Sequence, residues 1–567
     1  MGPAERKPIL QGVLWCALAC SLLPACDGCS KRAPQTGLEL TTGVMTGEAD
    51  DHSAVVWGRG TGAGWLQVEV AGPGGQRARS PLAQDRDFTA RIQLSELKPS
   101  TDYAYKAWLS LDQDGGGAPA SAKLGAFRTA PAAKAAERVR FGFSGDLAGQ
   151  NACRDAQLGY PVFEALADER LQFFIGLGDM IYGDGVCRAT GRFGNPQIPR
   201  DIDYATKRPE YWRFWRYNRE DAGFQQLLLN TSYYAVWDDH EVVNDFGPQR
   251  DQRGNAPYHV DHHLMPEGLA AFLDYHPFDA AAQAGKRLYR SRRWGRHVEF
   301  FFLDTRQYRS VASLPDSDPK KSMLGPEQLE WLIESLRKSD ATWKFIVSSV
   351  PISIPTGWPP DGPRDGWASF GGPTGYEAEF SRLVAVLPEL KPANVVFLTT
   401  DVHFAAAYVY RPFVREGATA EGATSQFSFL ELVSGPLSAG LFPKLVYDDS
   451  FGAERLFIHA PMNGEPVGQF DKALGWFNYA VVDVDPRGNI DVTYKDAKGK
   501  LIQQLELEPG KAPALVPGGR ALVGPAQSRS DLVGVGDSVE PAPSASASAS
   551  ASASAAPSSA APSSNER

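Results

Sequence analysis

Six apolar runs that each close on polar residues constrain the fold of this 567-residue chain more than anything else in it. They are "VRFGFSGD" (139–146), "LQFFIGLGD" (171–179), "SYYAVWDD" (232–239), "HVEFFFLDT" (297–305), "WKFIVSSVP" (343–351) and "ANVVFLTTD" (393–401). Runs with so little polar alternation suit strands covered on both faces, and so an α/β or α/β/β/α layered body. Between them "YPVFEALADER" and "PEQLEWLIESLRKS" repeat at helical spacing, the second with Pro326 near its start.

Acids recur where these strands stop. Asp146, Asp179, Asp239 and Asp401 each follow an apolar run, and His403 stands two places beyond Asp401. If the strands share a sheet, these side chains collect along its carboxyl edge, where open α/β sheets place their sites. Any one of these acids reads equally well as a cap or a turn residue. Four in matching positions are harder to explain that way, because like charges brought together destabilise a fold unless cations neutralise them. Asp179 and Tyr182 are three apart and reach one centre if the chain turns after the strand; Asp401 and His403 share one strand face. A carboxylate-rich set with one imidazole suits Fe, Mn, Mg, Ca or Zn, and a phenolate from Tyr182 favours ferric iron.

The segments "GDLAGQ", "GLGDMIYGD", "WDDHEVVND", "FLDTRQYR" and "TTDVHF" resemble, in that order, the PhoD-like metallophosphatases, relatives of the purple acid phosphatases in the metallophosphoesterase superfamily. The resemblance covers roughly residues 40–505. It implies a four-layered α/β/β/α sandwich and a two-metal phosphatase or phosphodiesterase. Asp179 looks like the bridging carboxylate, with Asp146 and Tyr182 completing one metal position. Asp239 stands where the superfamily carries a metal-binding asparagine, His240 where it carries the catalytic histidine, and Asp401 with His403 looks like the last ligand pair. Asn244 is a ligand or a supporting residue. The implied cofactors are two or more metal ions, Fe(III) with Ca first, with Zn, Mn or Mg as alternatives. A metal pair would neutralise phosphate oxygens and activate water for in-line attack, while His240 donates to a phosphate oxygen or the leaving group. Asp238 or Glu241 is expected to orient the His240 ring, or else to be a surface acid.

The chain departs from that pattern. Members of the PhoD group commonly carry a cysteine-containing motif after the first strand, where this chain has "SGDLAGQ"; this leaves the metal identity open. No clear equivalent of the superfamily's isolated ligand histidine stands out; His262, His263, His276 and His297 are weak candidates. Arg306 pairs with Asp304 as buried scaffold or reaches the phosphate. "KRPEYWRFWRYNRED" (207–221) fits a helix packed on the body with its arginines outward rather than a nucleic-acid surface.

The remaining segments bound the molecule. Residues 37–130 read as a small β-domain of short, alternating strands, in which "LSELKPSTDYAYKAWL" resembles the fibronectin type III pattern and Tyr103 would form a tyrosine corner. The catalytic body is expected over 137–507, and the Gly/Pro-rich and then Ser/Ala-rich 508–567 as a disordered tail. At the other end, Arg6 and Lys7 precede an apolar stretch too short for a confident membrane span. It resembles a bacterial lipoprotein signal, with Cys26 as the lipidation site or simple cleavage as the alternative. Either way residues 1–36 read as a leader and spacer, and the protein as exported to the periplasm, the outer membrane or the cell surface. In such a compartment Cys153 and Cys187, the two cysteines outside the leader region, are expected to form a disulfide, with a thiolate ligand at Cys153 as the rival reading. The net charge of −10 argues against a general nucleic-acid binder. The expected partner is a phosphate-ester small molecule or a lipid or polymer head group, with membrane contact only through the lipid anchor and the oligomeric state open. Phospholipid head groups, teichoic-type polymers and nucleotides are the diester alternatives. A surface binding protein with a degenerate hydrolase body is the alternative of another class.

Overall fold

The computed structural model describes residues 37–247, 264–357, 362–412, 427–442, 446–461 and 467–523. The leader with Cys26, His262, His263 and the Ser/Ala-rich segment lie outside these residues.

The six apolar runs do not share one sheet. Val139–Ser144, Phe173–Gly176 and Ser232–Ala235 are parallel neighbours in a ten-stranded sheet, with Phe143 paired to Ile175 and Ile175 to Tyr234. Val298–Phe302, Trp343–Val347 and Asn394–Thr399 are parallel neighbours in a second, eight-stranded sheet. The runs therefore do not meet along one sheet edge: two sheets lie face to face, as the resemblance to an α/β/β/α sandwich implied, and their carboxyl ends converge on one site.

Side-chain alternation explains why the runs are apolar throughout. Phe141, Phe143, Phe173 and Ile175 point inward and pack against Phe300, Phe302, Phe345 and Val347 of the second sheet. The contact is aromatic, with Phe141 edge-on to Phe300 at 5.0 Å and Phe173 edge-on to the same ring at 5.4 Å. The alternate residues point outward. Phe174 and Tyr233 meet Phe163, Phe214 and Phe224 from the helices on one side, and Phe301 and Ile346 meet Leu329, Leu332, Leu336 and Phe380 from the helices on the other. The layers run helices, sheet, sheet, helices. Helix Gly325–Lys338 buries Leu329, Leu332, Ile333 and Leu336 at 3.6-residue spacing, with Pro326 in its first turn.

Helix Arg208–Arg219 packs on the body as expected, but its arginines are not all outward. Arg219 is fully buried, its guanidinium 5.0 Å from the Phe224 ring and 5.4 Å from Tyr233, donating to His276 Nε2 at 3.1 Å. His276 is thereby fixed in the core, and burial holds its pKa well below the usual imidazole value. His297 bonds Thr342 and the Pro486 carbonyl at the opposite end of its strand from Asp304. Neither histidine faces the acids.

The N-terminal strands have their own core and also join the large sheet. Val44–Gly47, Ala54–Arg59 and Thr89–Leu94 extend the ten-stranded sheet, joined where Gly47 pairs with Tyr233. Trp65–Ala71, Arg77–Pro81, Asp102–Ser110 and Lys123–Arg128 form a separate four-stranded sheet, whose Leu66, Val68 and Phe127 share a core with Val56 and Ile92 of the facing strands. The Tyr103 hydroxyl accepts from Lys98 N–H and donates to the Pro73 carbonyl. Glu48 takes Arg290 Nε at 2.8 Å and Arg292 at 2.6 Å, which ties this segment to the second sheet.

At the other end the fold runs past 507. Ala514–Val516 pairs with Leu501–Leu507 in the first sheet, and Leu522–Val523 pairs with Ala453–His459 in the second. Residues 508–523 thus close both sheets, where the sequence predicted a tail, because backbone pairing needs little side-chain burial. Among the described residues no helix is long and apolar enough to cross a membrane.

Candidate metal centre

Asp146, Asp179, Asp401 and His403 share a backbone state that L-residues seldom adopt. Their φ angles are +62°, +53°, +74° and +58°. Each stands where the chain leaves a strand, and the left-handed turn redirects its side chain across the end of the sheet. Such strain persists where the surrounding structure holds it, and it clusters at functional sites.

Three donor sets result, and Asp179 belongs to all of them. One oxygen or nitrogen each from Asp146, Asp179 and His403 lie within 4.8 Å of one another, as do one oxygen each from Asp179, Asp238 and Asp401. Asp179 also joins Asp239 and His240 in a set of the same size. Asp146 is fully buried; its Oδ2 accepts from Thr400 Oγ1 at 2.7 Å, and its Oδ1 has no hydrogen-bond partner. Asp179 Oδ2 and Asp401 Oδ2 are likewise buried without a hydrogen-bond partner. Burial, then neighbouring acids, raise the pKa of Asp179 and Asp401 well above the carboxylate range, and burial pushes Asp146 up to about 8. A fold that assembles these groups without a counter-charge is destabilised by it.

His403 donates from Nδ1 to the Gly440 carbonyl, which leaves Nε2 toward the site, 2.9 Å from the Tyr182 hydroxyl and 3.8 Å from Asp146. The Tyr182 ring packs on His240, centroids 4.1 Å apart. His240 Nδ1 lies 2.6 Å from Asp184, and its backbone N–H donates to Asp239 and Asp179. Burial, the largest influence on this ring, favours the neutral form, but Asp184 and Asp239 outweigh it and push the pKa up to about 10.

All of this lies within residues 144–487, which match the model of the family described as PhoD-like phosphatase. The chain belongs to the PhoD-like phosphatases. Alkaline phosphatase D of Bacillus subtilis is 25% identical over 405 residues, 64% of this chain; the chain spans 64% of that relative's length. The solved structure of PhoD superposes with a TM-score of 0.67 at 19% identity, over 86% of this chain and 94% of that one. A purple acid phosphatase from yellow lupin seeds (Lupinus luteus) gives 0.49 at 14% identity, over 82% and 73%.

PhoD-like phosphatases imply metal ions, and the donors here fit them. Three buried carboxylate oxygens without partners, a phenol and an imidazole nitrogen form a hard, oxygen-rich set. Gly435 is part of that fit: at φ +152° it lies so close that a Cβ would stand 2.1 Å from Asp146 Oδ2.

Other sequence expectations hold in part and are corrected in part. Arg306 is fully buried; its Nε donates to Asp238 at 2.6 Å and its terminal nitrogens to Asp365 at 2.9 and 2.8 Å, so it is scaffold rather than a phosphate ligand. Its partner is not Asp304, whose carboxylate accepts the Arg306 backbone N–H and Trp237 Nε1 instead. Neither Asp238 nor Glu241 orients His240. Glu241 accepts the backbone N–H groups of Asp179, Met180 and Asp238, buckling two site loops together. Asp184 holds the ring, and Asn244 enters through its backbone N–H, which donates to Asp184 Oδ2 at 2.8 Å. Cys153 and Cys187 are joined as a disulfide, which removes the thiolate-ligand reading and staples the loops that follow Asp146 and Asp179. Sequence reasoning passed over Asp184, Thr400 and Asp365. The second "GD" of "GLGDMIYGD" was a signal for Asp184; nothing local marks Asp365.

Proposed function

We propose that the chain is an exported, metal-dependent phosphoric ester hydrolase. Asp146, Asp179, Tyr182 and His403 would hold one cation, and Asp179 with Asp401 the other, with Asp239, which groups with Asp179, as a further donor there. Bound there, the metals supply charge neutralisation of the phosphoryl oxygens and acidify water. The chain's own residues supply the rest. Asp184 accepts from His240 Nδ1, so Nε2–H is the proton the ring offers to a phosphoryl oxygen or the leaving alkoxide. The Tyr182 ring keeps that imidazole from rotating, and Glu241 fixes the loop bearing Asp179 relative to the loop bearing Asp238.

The observation that carries the reading is the unpartnered, buried carboxylate oxygens of Asp146, Asp179 and Asp401 collected on two donor sets with Asp179 common to both. A site retired into a binding role would not keep them. Hydrolysis of aryl phosphate mono- and diesters, measured before chelation, after it, and on return of metal, tests this. Loss and recovery of turnover are expected, with Asp179→Ala inactive throughout and the ratio of the two rates giving the preferred ester. Rates unmoved by chelation would sink the proposal.

Fe(III) with Ca is the proposed metal pair, supported by the Tyr182 phenol beside His403; a visible tyrosinate-to-iron absorption band tests it, and an active, iron-free protein would move the assignment to Zn, Mn or Mg. The Cys153–Cys187 disulfide supports an oxidising compartment, in line with the leader-like 1–36 and a lipid anchor at Cys26. Strand order and the Tyr103 hydrogen bond to Lys98 N–H support a fibronectin type III-like character for 37–130.

A further inference from the structure

Asp238 has one oxygen committed and one free. Oδ1 accepts from Arg306 Nε at 2.6 Å and from Ser349 Oγ at 3.0 Å, whereas Oδ2 is buried and has no hydrogen-bond partner. A carboxylate that served only to hold Arg306 would be expected to satisfy its second oxygen, because an orphaned buried acceptor costs free energy. The neighbouring Asp239 is oriented by the backbone instead: its Oδ1 accepts His240 N–H at 2.9 Å and its Oδ2 accepts Asp245 N–H at 2.6 Å.

We infer that Asp238 is a donor, beside Asp179 and Asp401, for a cation at the second position, and that Arg306 is its positioning residue. The inference rests on the metal-dependent reading and adds a ligand to it. Asp179 Oδ2, Asp238 Oδ2 and Asp401 Oδ2 are all buried and unpartnered, and these three carboxylates each place an oxygen within 4.8 Å of the others. Asp238 is fully buried, so solvent does not satisfy the oxygen instead. Arg306 fixes the rotation of the carboxylate by taking Oδ1, and it is itself immobilised by Asp365, which Arg309 also holds. A planar guanidinium caught between two carboxylates sets direction as well as charge.

The geometry has a mechanical consequence. Asp179 and Asp238 follow strands of the first sheet, and Asp401 follows a strand of the second. A cation held by all three joins the two sheets at the open end of the sandwich, so its binding raises the stability of the whole body.

A crystal structure of the Ca2+-loaded wild-type protein, grown without phosphate, tests the ligand directly. Asp238 Oδ2 is expected at about 2.3–2.6 Å from a cation that Asp179 and Asp401 also bind. A cation on Asp179 and Asp401 with Asp238 Oδ2 beyond bonding distance would overturn this inference and leave the metal-dependent reading standing. No cation on any of the three, with turnover insensitive to chelation, would remove both. In solution, Ca2+ titration of chelated wild type and Arg306→Lys by calorimetry and thermal melting tests the positioning role. About 10- to 100-fold weaker binding and a smaller Ca2+-induced rise in melting temperature are expected for the variant. Equal affinity and an equal rise would show that Arg306 is scaffold alone. Asp238→Asn combined with Arg306→Met avoids stranding a buried guanidinium, and is expected to bind one equivalent fewer by elemental analysis; full occupancy would count against Asp238.

Discussion

At the scale of single residues, charge and hydrogen-bond direction decide roles that residue type leaves open. "WDDHE" presents three acids around one histidine, and each makes its own set of hydrogen bonds, although Arg306 also lies 3.8 Å from Asp239. Asp238 faces Arg306, Asp239 receives two backbone N–H groups, and Glu241 receives three. The carboxylate that governs His240 is Asp184, 56 positions earlier. Asp184→Asn should therefore lower turnover and shift its pH profile. The carboxylate raises the ring's pKa, so its removal lowers it, and the imidazolium is lost at lower pH. The alkaline limb of kcat is expected to move to lower pH, while metal content stays at the wild-type value; an unmoved limb would mean that His240 is not the group titrating. Replacing His240 by alanine is expected to cost about 10²–10⁴ in kcat, the range for a lost general acid.

At the scale of elements, the positions of the candidate ligand side chains depend on what the chain does immediately after each strand. Four of them sit in left-handed turns, and a glycine makes room for one. Gly435→Ala would set a methyl group against Asp146 Oδ2 and Thr400 Oγ1 at a φ that alanine resists. The carboxylate must then move. About tenfold weaker metal binding is expected by titration, with secondary structure unchanged by circular dichroism; wild-type affinity would show that Asp146 has slack. The strands themselves were legible because each is apolar on both faces. Sheet membership was not, since Phe141 and Phe300 are equally apolar and only their packing assigns them to opposite sheets.

At the scale of the whole molecule, the N-terminal strands and the site-bearing body share a sheet and a network of buried ions. Glu48, from the first segment, neutralises Arg290 and Arg292 on the edge strand of the second sheet, and Arg59 and Arg216 meet on Asp87. Removing one partner of a buried pair leaves the other charge stranded. Glu48→Gln is expected to lower stability by about 3–5 kcal/mol, read as a fall in the urea midpoint. An unchanged midpoint would show the two parts to be independent. Expression of the body without 37–130 is expected to yield aggregate, because it bares the edge of Ser232–Ala235.

The amino-acid sequence by itself determined the layered α/β character, the order of the motifs, and Asp146, Asp179, Tyr182, Asp239, Asp401 and His403 as a group of metal-facing candidates. Those features are local: apolar periodicity and the residue that ends a strand are written within a few positions. Only the tertiary structure decided which strands join which of the two sheets, that Asp184 rather than Asp238 or Glu241 holds His240, and that Arg306 faces Asp238 and Asp365. These are meetings between residues dozens of positions apart, and a buried charge takes whichever partner the packed sheets bring within reach. Spacing along the chain carries no record of that choice.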